Sequence, residues 1–540
     1  MSNTSPILQI ENLSISLPRG ADRSLAVQDV SLDVLAGQTT CIVGESGSGK
    51  SMIASAVMGL LAKPYVAPAG GKIIFEGSDI LHKTEEEFRK LRGVRLGMIF
   101  QEPMTSLNPV MRIGEQIGEV LDAHVSLSRA ERQARIISSL RDVGLPSPEK
   151  IANSYPFRLS GGQRQRVMIA AAMVLEPTLL IADEPTTALD VTTQAQILKL
   201  MREIQTRKKM AMIFITHDFG VVAEIADQVL VMKLGKVVEK GVASEVLRSP
   251  QHEYTRSLIA AIPKGAADPA KKPLQAKSLL QVTSLKKIFT IGRSFFGEAH
   301  VVKAIDDVSF DLRKGETLGL VGESGSGKST IGRSIVGLLR GVTGEMSLEG
   351  ENVPSDIRKR SSALRARIQM VFQDPYASLN PRQTIAQALI AGPVQMGMSG
   401  QDARERAAGL LDRVGLKRDA LDRYPHEFSG GQRQRVAIAR ALIMQPDIIV
   451  ADEAVSALDV SVQAQVLALF KEVKESFGLT MLFITHDLRV AADICDRIAV
   501  LQNGKLVEIG TVAEIIASPK QDYTRQLIQS SPNFHTMMSS

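Results

Sequence analysis

The sequence predicts two tandem α/β domains of one design. Each is a mainly parallel P-loop core sheet with an antiparallel β-subdomain and an inserted helical subdomain. Three observations carry this expectation. A glycine-rich block, VGESGSGKS, occupies Val43–Ser51 and returns at Val321–Ser329. SGGQRQRV, a carboxylate pair and ITHD follow both copies in the same order. Short apolar strands alternate with helical patterns throughout each copy, as in a parallel-sheet core. Ser160 and Ser429, Asp183 and Asp452, and His217 and His486 are each separated by 269 positions. The repeat divides the 540 residues into domains 1–262 and 279–540, each long enough to bury a substantial core.

The elements follow in order. Each half opens with alternating, β-leaning segments, Ile7–Leu17 with Val27–Val34 and Leu280–Phe289 with Val301–Leu312. Thr39–Val43 and Thr317–Val321 are short apolar strands that run into the glycine loops and then into helices. From roughly Glu102 to Pro177, and Asp374 to Pro446, the pattern turns helical and charged, as in SRAERQARIISSLRDVG. Helical subdomains are expected there. Buried-type strands precede Asp183, Asp452, His217 and His486. Residues 263–278, PKGAADPAKKPLQAKS, lack apolar periodicity and read as an exposed linker. Tyr254-Thr255-Arg256 recurs as Tyr523-Thr524-Arg525, again 269 apart, so the tails belong to the repeat.

Composition narrows the function classes. Apolar residues make up 44% and charged residues 23%, as in a soluble globular protein. Apolar stretches such as Leu179–Ala182 and Ile448–Ala451 fall far short of the ~20 residues a membrane span needs. The N-terminus MSNTSPILQIENLS lacks a basic start followed by an apolar core, so no secretory signal is expected. Any membrane role therefore falls to a partner. Cys41 and Cys495 read as buried thiols rather than a disulfide or a metal site. A net charge of +6, from 64 basic and 58 acidic residues, is mild and gives no reason to expect a nucleic-acid partner.

The motifs carry the chemistry. Gly44, Gly49, Lys50 and Ser51, and again Gly322, Gly327, Lys328 and Ser329, match G-x-x-x-x-G-K-[ST]. Backbone N–H groups of such a loop, including those at Ser46, Gly47, Ser324 and Gly325, curl around phosphates, and the following helix N-terminus adds positive potential. Lys50 and Lys328 reach the β/γ-phosphates, and the Ser51 and Ser329 hydroxyls ligate Mg²⁺. The loop alone does not separate a kinase, a GTPase and a transport ATPase. Asp183 and Asp452 end apolar strands, where an aspartate orders Mg²⁺. The adjacent Glu184 and Glu453 can polarise an attacking water as general base. His217 and His486 end further strands and are read as γ-phosphate contacts. LSGGQ (Ser160, Gly161, Gly162, Gln163) and FSGGQ (Ser429, Gly430, Gly431, Gln432) open helices and form a second anion-binding terminus in each half.

With every block in place, the chain resembles the nucleotide-binding subunits of ATP-binding-cassette (ABC) transporters, with two cassettes fused. The resemblance covers nearly the whole sequence. It implies cassettes paired head to tail, each ATP lying between one phosphate loop and the opposite signature. One site then takes Lys50, Ser51, Gln101, Asp183, Glu184 and His217, closed by Ser429, Gly430 and Gly431. The other takes Lys328, Ser329, Gln373, Asp452, Glu453 and His486, closed by Ser160, Gly161 and Gly162. Gln101 and Gln373 join the serine and aspartate around Mg²⁺, and Asp190 and Asp459 resemble the loop coupling the two sites. FQEPMTSLNP (Phe100–Pro109), FQDPYASLNP (Phe372–Pro381) and the EYTR and DYTR tails resemble the oligopeptide, dipeptide and nickel importer branch. Two such subunits on one chain are similar to the fused ATPase of Yej-type peptide (microcin C) importers, while other fused members serve glutathione.

The implied function is the ATP-hydrolysing subunit of a peptide importer, peripheral on the cytoplasmic side of the bacterial inner membrane. Two transmembrane permeases and a periplasmic binding protein are the implied partners. Three departures from the branch pattern stand out. Phe289 fits the adenine-stacking aromatic of the second cassette, whereas Leu17 stands at that place in the first. Ala454 replaces the proline found at Pro185, which is expected to loosen that turn. The cysteine-rich tail that some relatives use for an iron–sulfur cluster is missing, so no cluster is expected. A twin-cassette translation factor acting on ribosomes is the rival class, but those chains carry a long charged helical linker. A DNA-repair cassette ATPase would need clusters of zinc-ligating cysteines.

Overall fold

The computed structural model describes residues 5–101, 106–186, 189–263, 265, 276–291, 300–456 and 458–530. Most of the 263–278 linker, and Glu102–Thr105 of the first glutamine loop, lie outside the described residues. The chain divides into two compact units, the main body of the second starting at Pro263.

In the first unit the strands are β1 (Leu8–Ser16), β2 (Leu25–Val34), β3 (Thr39–Val43), β4 (Ala67–Phe75), β5 (Ser78–Asp79), β6 (Leu96–Ile99), β7 (Leu179–Asp183), β8 (Ala211–Thr216), β9 (Gln228–Lys233) and β10 (Lys236–Val242). They form two sheets. One is antiparallel, in the order β2-β1-β4-β5. The other runs β10-β9-β3-β8-β7-β6, parallel except for the edge hairpin β9-β10. Strands β3, β7 and β8 are buried at every position, so both faces are covered. Their near-continuous apolar runs are what such central parallel strands require.

The second unit repeats the plan with β11 (Ser278–Ile291), β12 (His300–Arg313), β13 (Thr317–Val321), β14 (Val342–Leu348), β15 (Glu351–Asn352), β16 (Ile368–Val371), β17 (Ile448–Asp452), β18 (Thr480–Thr485), β19 (Arg497–Gln502) and β20 (Lys505–Thr511). Its sheets run β12-β11-β14-β15 and β16-β17-β18-β13-β19-β20.

The helix after each phosphate loop packs between the two sheets of its unit. Ile53, Ala54 and Val57 lie in one cluster with Val27 and Leu32 from the antiparallel sheet and Ile181 and Ile213 from the core sheet. The inserted helices are Ile113–Asp122, Arg129–Asp142 and Pro148–Ala152 in the first unit, and Ile385–Gln395 and Gly400–Arg413 in the second. Ser128 and Glu131 make a reciprocal capping box that starts the charged helix, which buries only Ile136, Ile137 and Leu140.

Both cysteines are buried and outside any disulfide, Cys41 in β3 and Cys495 just past the helix Leu488–Ile494. Gly319 holds in β13 the place that Cys41 holds in β3, two residues before the matching valine. A Cβ on Gly319 would lie 2.8 Å from Cys495 Sγ. Ala226 stands 269 positions before Cys495, so the bulk on the two facing elements is exchanged between the copies.

Candidate functional site

Strands β6, β7, β8 and β3 are mutually parallel. The residues that follow them therefore gather at one edge of the sheet, where ligands of α/β proteins bind. Gln101 comes shortly after β6, the Asp183-Glu184 pair closes β7, His217 follows β8, and the phosphate loop follows β3. The second unit gathers Gln373, Asp452-Glu453, His486 and its phosphate loop by the same topology.

Glycine is required where each loop meets its helix. Gly49 and Gly327 cap the helices at φ of 101° and 105°, and a Cβ would lie 2.6 Å from the Ala26 carbonyl or 2.3 Å from that of Ala304. The loop lysines are folded inward and buried. Lys50 Nζ donates to the Gly44 and Glu45 carbonyls at 2.7 and 2.9 Å, and Lys328 Nζ to those of Gly322 and Glu323 at 2.8 Å each. Burial holds the Lys328 ammonium below its usual range, opposed by Glu453.

Ser51 Oγ donates to Asp183 Oδ1 at 3.0 Å, and Ser329 Oγ to Asp452 Oδ1 at 2.7 Å. A hydroxyl and a carboxylate side by side are a hard oxygen donor set of the kind Mg²⁺ takes when phosphates complete its shell. Burial pushes both aspartates up, against the serine hydrogen bonds. A carboxyl whose folded pKa exceeds its unfolded value stabilises the fold fully below the unfolded pKa and loses that contribution as pH rises through the folded one. In buffer free of divalent cations at neutral pH, Asp183→Asn with Asp452→Asn should therefore raise the melting temperature. The gain should shrink as pH falls into the carboxylate range, which thermal melts across pH would reveal. A variant that melts lower at neutral pH would contradict the argument.

Each glutamate is flanked by the same two side chains. Gln101 Nε2 donates to Glu184 Oε2 at 3.0 Å, and Gln373 Nε2 to Glu453 Oε2 at 2.8 Å. His217 Nδ1 lies 3.4 Å from Glu184 Oε1, and His486 Nδ1 3.6 Å from Glu453 Oε2. Burial pushes Glu453 up, but His486 and Lys328 outweigh it and hold the group below the ordinary carboxylate range. Glu453 is thus ionised at neutral pH. Both glutamates adopt φ of 46°, a conformation uncommon outside glycine and frequent at functional positions. The backbone hydrogen bond at the start of the turn is the same in both copies despite Ala454. Glu184 and Glu453 N–H donate to the Ile215 and Ile484 carbonyls at 3.0 Å alike, and the Ser456 hydroxyl braces the Glu453 carbonyl at 3.0 Å.

The signature serines cap helices Gly161–Met173 and Gly430–Leu442. The Gln163 N–H donates to Ser160 Oγ at 3.3 Å and the Gln432 N–H to Ser429 Oγ at 3.4 Å. Each glutamine returns its side-chain oxygen to the serine N–H, leaving the helix starts rigid. Asp459 caps the helix Val460–Phe477, and Asp190 directly precedes Val191–Lys208.

Phe289, at 37% exposure, pairs with Val302 across β11-β12, and Val302 lines a cleft of about 420 Å³ with Lys328, Ser329, Gln373 and Glu453. Leu17 stands at the matching edge of the first unit, where its N–H donates to the Ser24 carbonyl, and it packs against the core. Sequence reasoning passed over Arg333, whose Nε lies 3.7 Å from Asp452 Oδ2. Counted from the phosphate loops, Ser55 occupies that position in the first unit, so Asp183 and Asp452 differ in electrostatic surroundings. The Arg-for-Ser difference between the copies was the signal available.

Two phosphate loops, each with its carboxylate pair, glutamine, histidine and SGGQ helix, define a twin-cassette ATPase. The ABC transporter profile matches residues 27–187 and 305–456, and the chain belongs to that family. A second profile, the C-terminal region of oligopeptide/dipeptide transporters, matches residues 238–295 and 507–538. The peptidoglycan transport ATP-binding protein YejF of Agrobacterium fabrum is 45% identical over 99% of this chain and 98% of its own length. The glutathione import ATP-binding protein GsiA of Escherichia coli K12 is 45% identical over 97% of this chain and 89% of its own. The solved cbiO1 from Clostridium perfringens, part of the ABC transporter complex cbiONQ, aligns over 48% of this chain and 96% of its own with 30% identity and a TM-score of 0.40. Among the described residues no helix is long and apolar enough to cross a membrane.

Proposed function

We propose that this chain is the ATP-hydrolysing subunit of an importer for short peptides or peptide-bearing solutes. The observation that carries the cargo class is the oligopeptide/dipeptide tail region behind both cassettes. Peptidoglycan and glutathione, the cargoes named for two relatives, share peptide chemistry, which supports the same reading. Two membrane permeases and a periplasmic binding protein complete the assembly, with this chain peripheral on the cytoplasmic side of the inner membrane.

The two cassettes pair head to tail. Lys50 and Lys328 hold the β/γ-phosphates, and the capped helix starts at Ser429-Gly430-Gly431 and Ser160-Gly161-Gly162 close over them from the opposite cassette. Ser51 with Asp183, and Ser329 with Asp452, hold Mg²⁺ beside Gln101 and Gln373. Bound there, the cation neutralises charge on the phosphate oxygens. Glu184 and Glu453 take the proton of the attacking water, and the glutamine and histidine on either side keep each carboxylate in one orientation. Asp190 and Asp459 link the two sites.

Fractionation of native cells in mild detergent tests the assembly. Recovery with two multi-span permeases is the expected result. Recovery with ribosomes and no permease would overturn the import reading in favour of a translation factor.

A further inference from the structure

The tail behind each cassette reaches back to that cassette's own phosphate loop. The Glu45 N–H donates to Tyr254 Oη at 3.4 Å, and the Glu323 N–H to Tyr523 Oη at 3.2 Å. The carbonyls of the same two residues accept from Lys50 and Lys328 at 2.9 and 2.8 Å. One residue in each loop is thus held by the tail on its N–H side and by the phosphate-binding lysine on its carbonyl side.

The tyrosines are seated by a second feature that also occurs twice. The Glu239 carboxylate accepts from the Gln251 and His252 N–H groups at 2.7 and 3.1 Å. The Glu508 carboxylate accepts from those of Lys520 and Gln521 at 2.8 and 3.2 Å. Each clamp fixes the turn that starts a tail helix, Glu253–Ala260 or Asp522–Ser530. Tyr254 is 7% exposed, with the Lys233 ammonium 4.6 Å from its ring centre. Gln502 stands at the lysine's place in the second copy, so the two tails share the hydroxyl contact and differ in the cation. Burial pushes the Tyr523 phenol up to about 12, keeping its hydroxyl neutral at working pH.

We propose that Tyr254 and Tyr523 are positioning residues for ATP, each holding its phosphate loop through the hydroxyl–amide contact in the shape that receives the β- and γ-phosphates. The proposal rests on the reading of the two loops as nucleotide sites. A loop released from the tail samples more shapes, and part of the binding energy then goes into ordering it. Saturating ATP restores the order, so the effect falls on affinity and KM more than on kcat.

Tyr254→Phe with Tyr523→Phe in the full chain tests this, because only the hydroxyls are removed. Loss of one neutral hydrogen bond per site predicts a roughly 3- to 10-fold rise in KM for MgATP and in the Kd for MgADP, with kcat within about twofold. Amide exchange at Glu45 and Glu323 should accelerate, a change that loss of general tail packing would not confine to those two amides. Glu239→Gln with Glu508→Gln, which weakens the clamp without touching the tyrosines, should move KM the same way. Unchanged KM, Kd and loop exchange in a tyrosine variant that melts like the parent would overturn the proposal. Lys50→Ala with Lys328→Ala serves as the control: undiminished MgADP binding there would refute the nucleotide-site reading itself, and not the tail's role.

Discussion

Replacing both Glu184 and Glu453 by glutamine lowers ATP turnover by about 10²–10⁴-fold, or roughly 3–5 kcal/mol of barrier, while nucleotide binding survives. Glutamine has nearly the same volume, and its amide oxygen still accepts from Gln101 or Gln373, so the local packing persists. What disappears is the group that takes a proton from water. The unusual φ of 46° at both positions is retained, because the side chain changes and the backbone does not. Phosphate release by the full chain, measured alongside equilibrium ATP binding, separates the two effects. Turnover within threefold of the parent would assign water activation to another group. The two single variants, assayed in the same way, report whether both sites work equally.

Lys50→Ala with Lys328→Ala gives the opposite division, with binding lost first. A hydrogen bond from a charged donor contributes about 1.5–3 kcal/mol, roughly 10- to 150-fold in affinity at each site. Arginine should not rescue. The lysine head is enclosed by two loop carbonyls at 2.7 and 2.9 Å in the first copy, a pocket shaped for a compact ammonium and not for a planar guanidinium. Calorimetry with MgADP measures the effect directly. Affinity equal to the parent's would remove both lysines from the site.

Most of this architecture was legible because the chemistry repeats. A strand ending LLIAD or IIVAD is apolar until its last residue, so its carboxylate must sit at the sheet edge. The duplicated spacing then assigns the neighbours. The antiparallel sheet was harder to read. β4 begins APAGG, a string with neither alternation nor β-branched residues, yet it pairs along the length of β1 because the tertiary partner decides its conformation. The tail tyrosines were visible as a repeat, but their contact with the phosphate loops was not. It spans 209 residues in one copy and 200 in the other, and no local pattern encodes so distant a partner. The turn at Glu453 shows the same limit. Ala454 alone suggests slack, and the hydrogen bond from the Ser456 hydroxyl to the Glu453 carbonyl at 3.0 Å is not visible in the sequence.

The exchanged bulk at Cys41/Ala226 and Gly319/Cys495 matters for how such a chain folds. Strand β3 completes its sheet with β8, where Thr39 faces Met212, so it must wait for partners made much later. A nascent chain bearing β13, of the same length and burial, faces the hazard of strand exchange between homologous halves, a characteristic failure of tandem repeats. The cysteines penalise that exchange. β3 in the second sheet would drive a side chain into Cys495, and β13 in the first would leave a hole where Cys41 belongs. Overpacking of this kind typically costs about 1–3 kcal/mol. A Gly319→Ala chain, whose added methyl meets Cys495 Sγ at 2.8 Å, should accordingly melt lower than the parent.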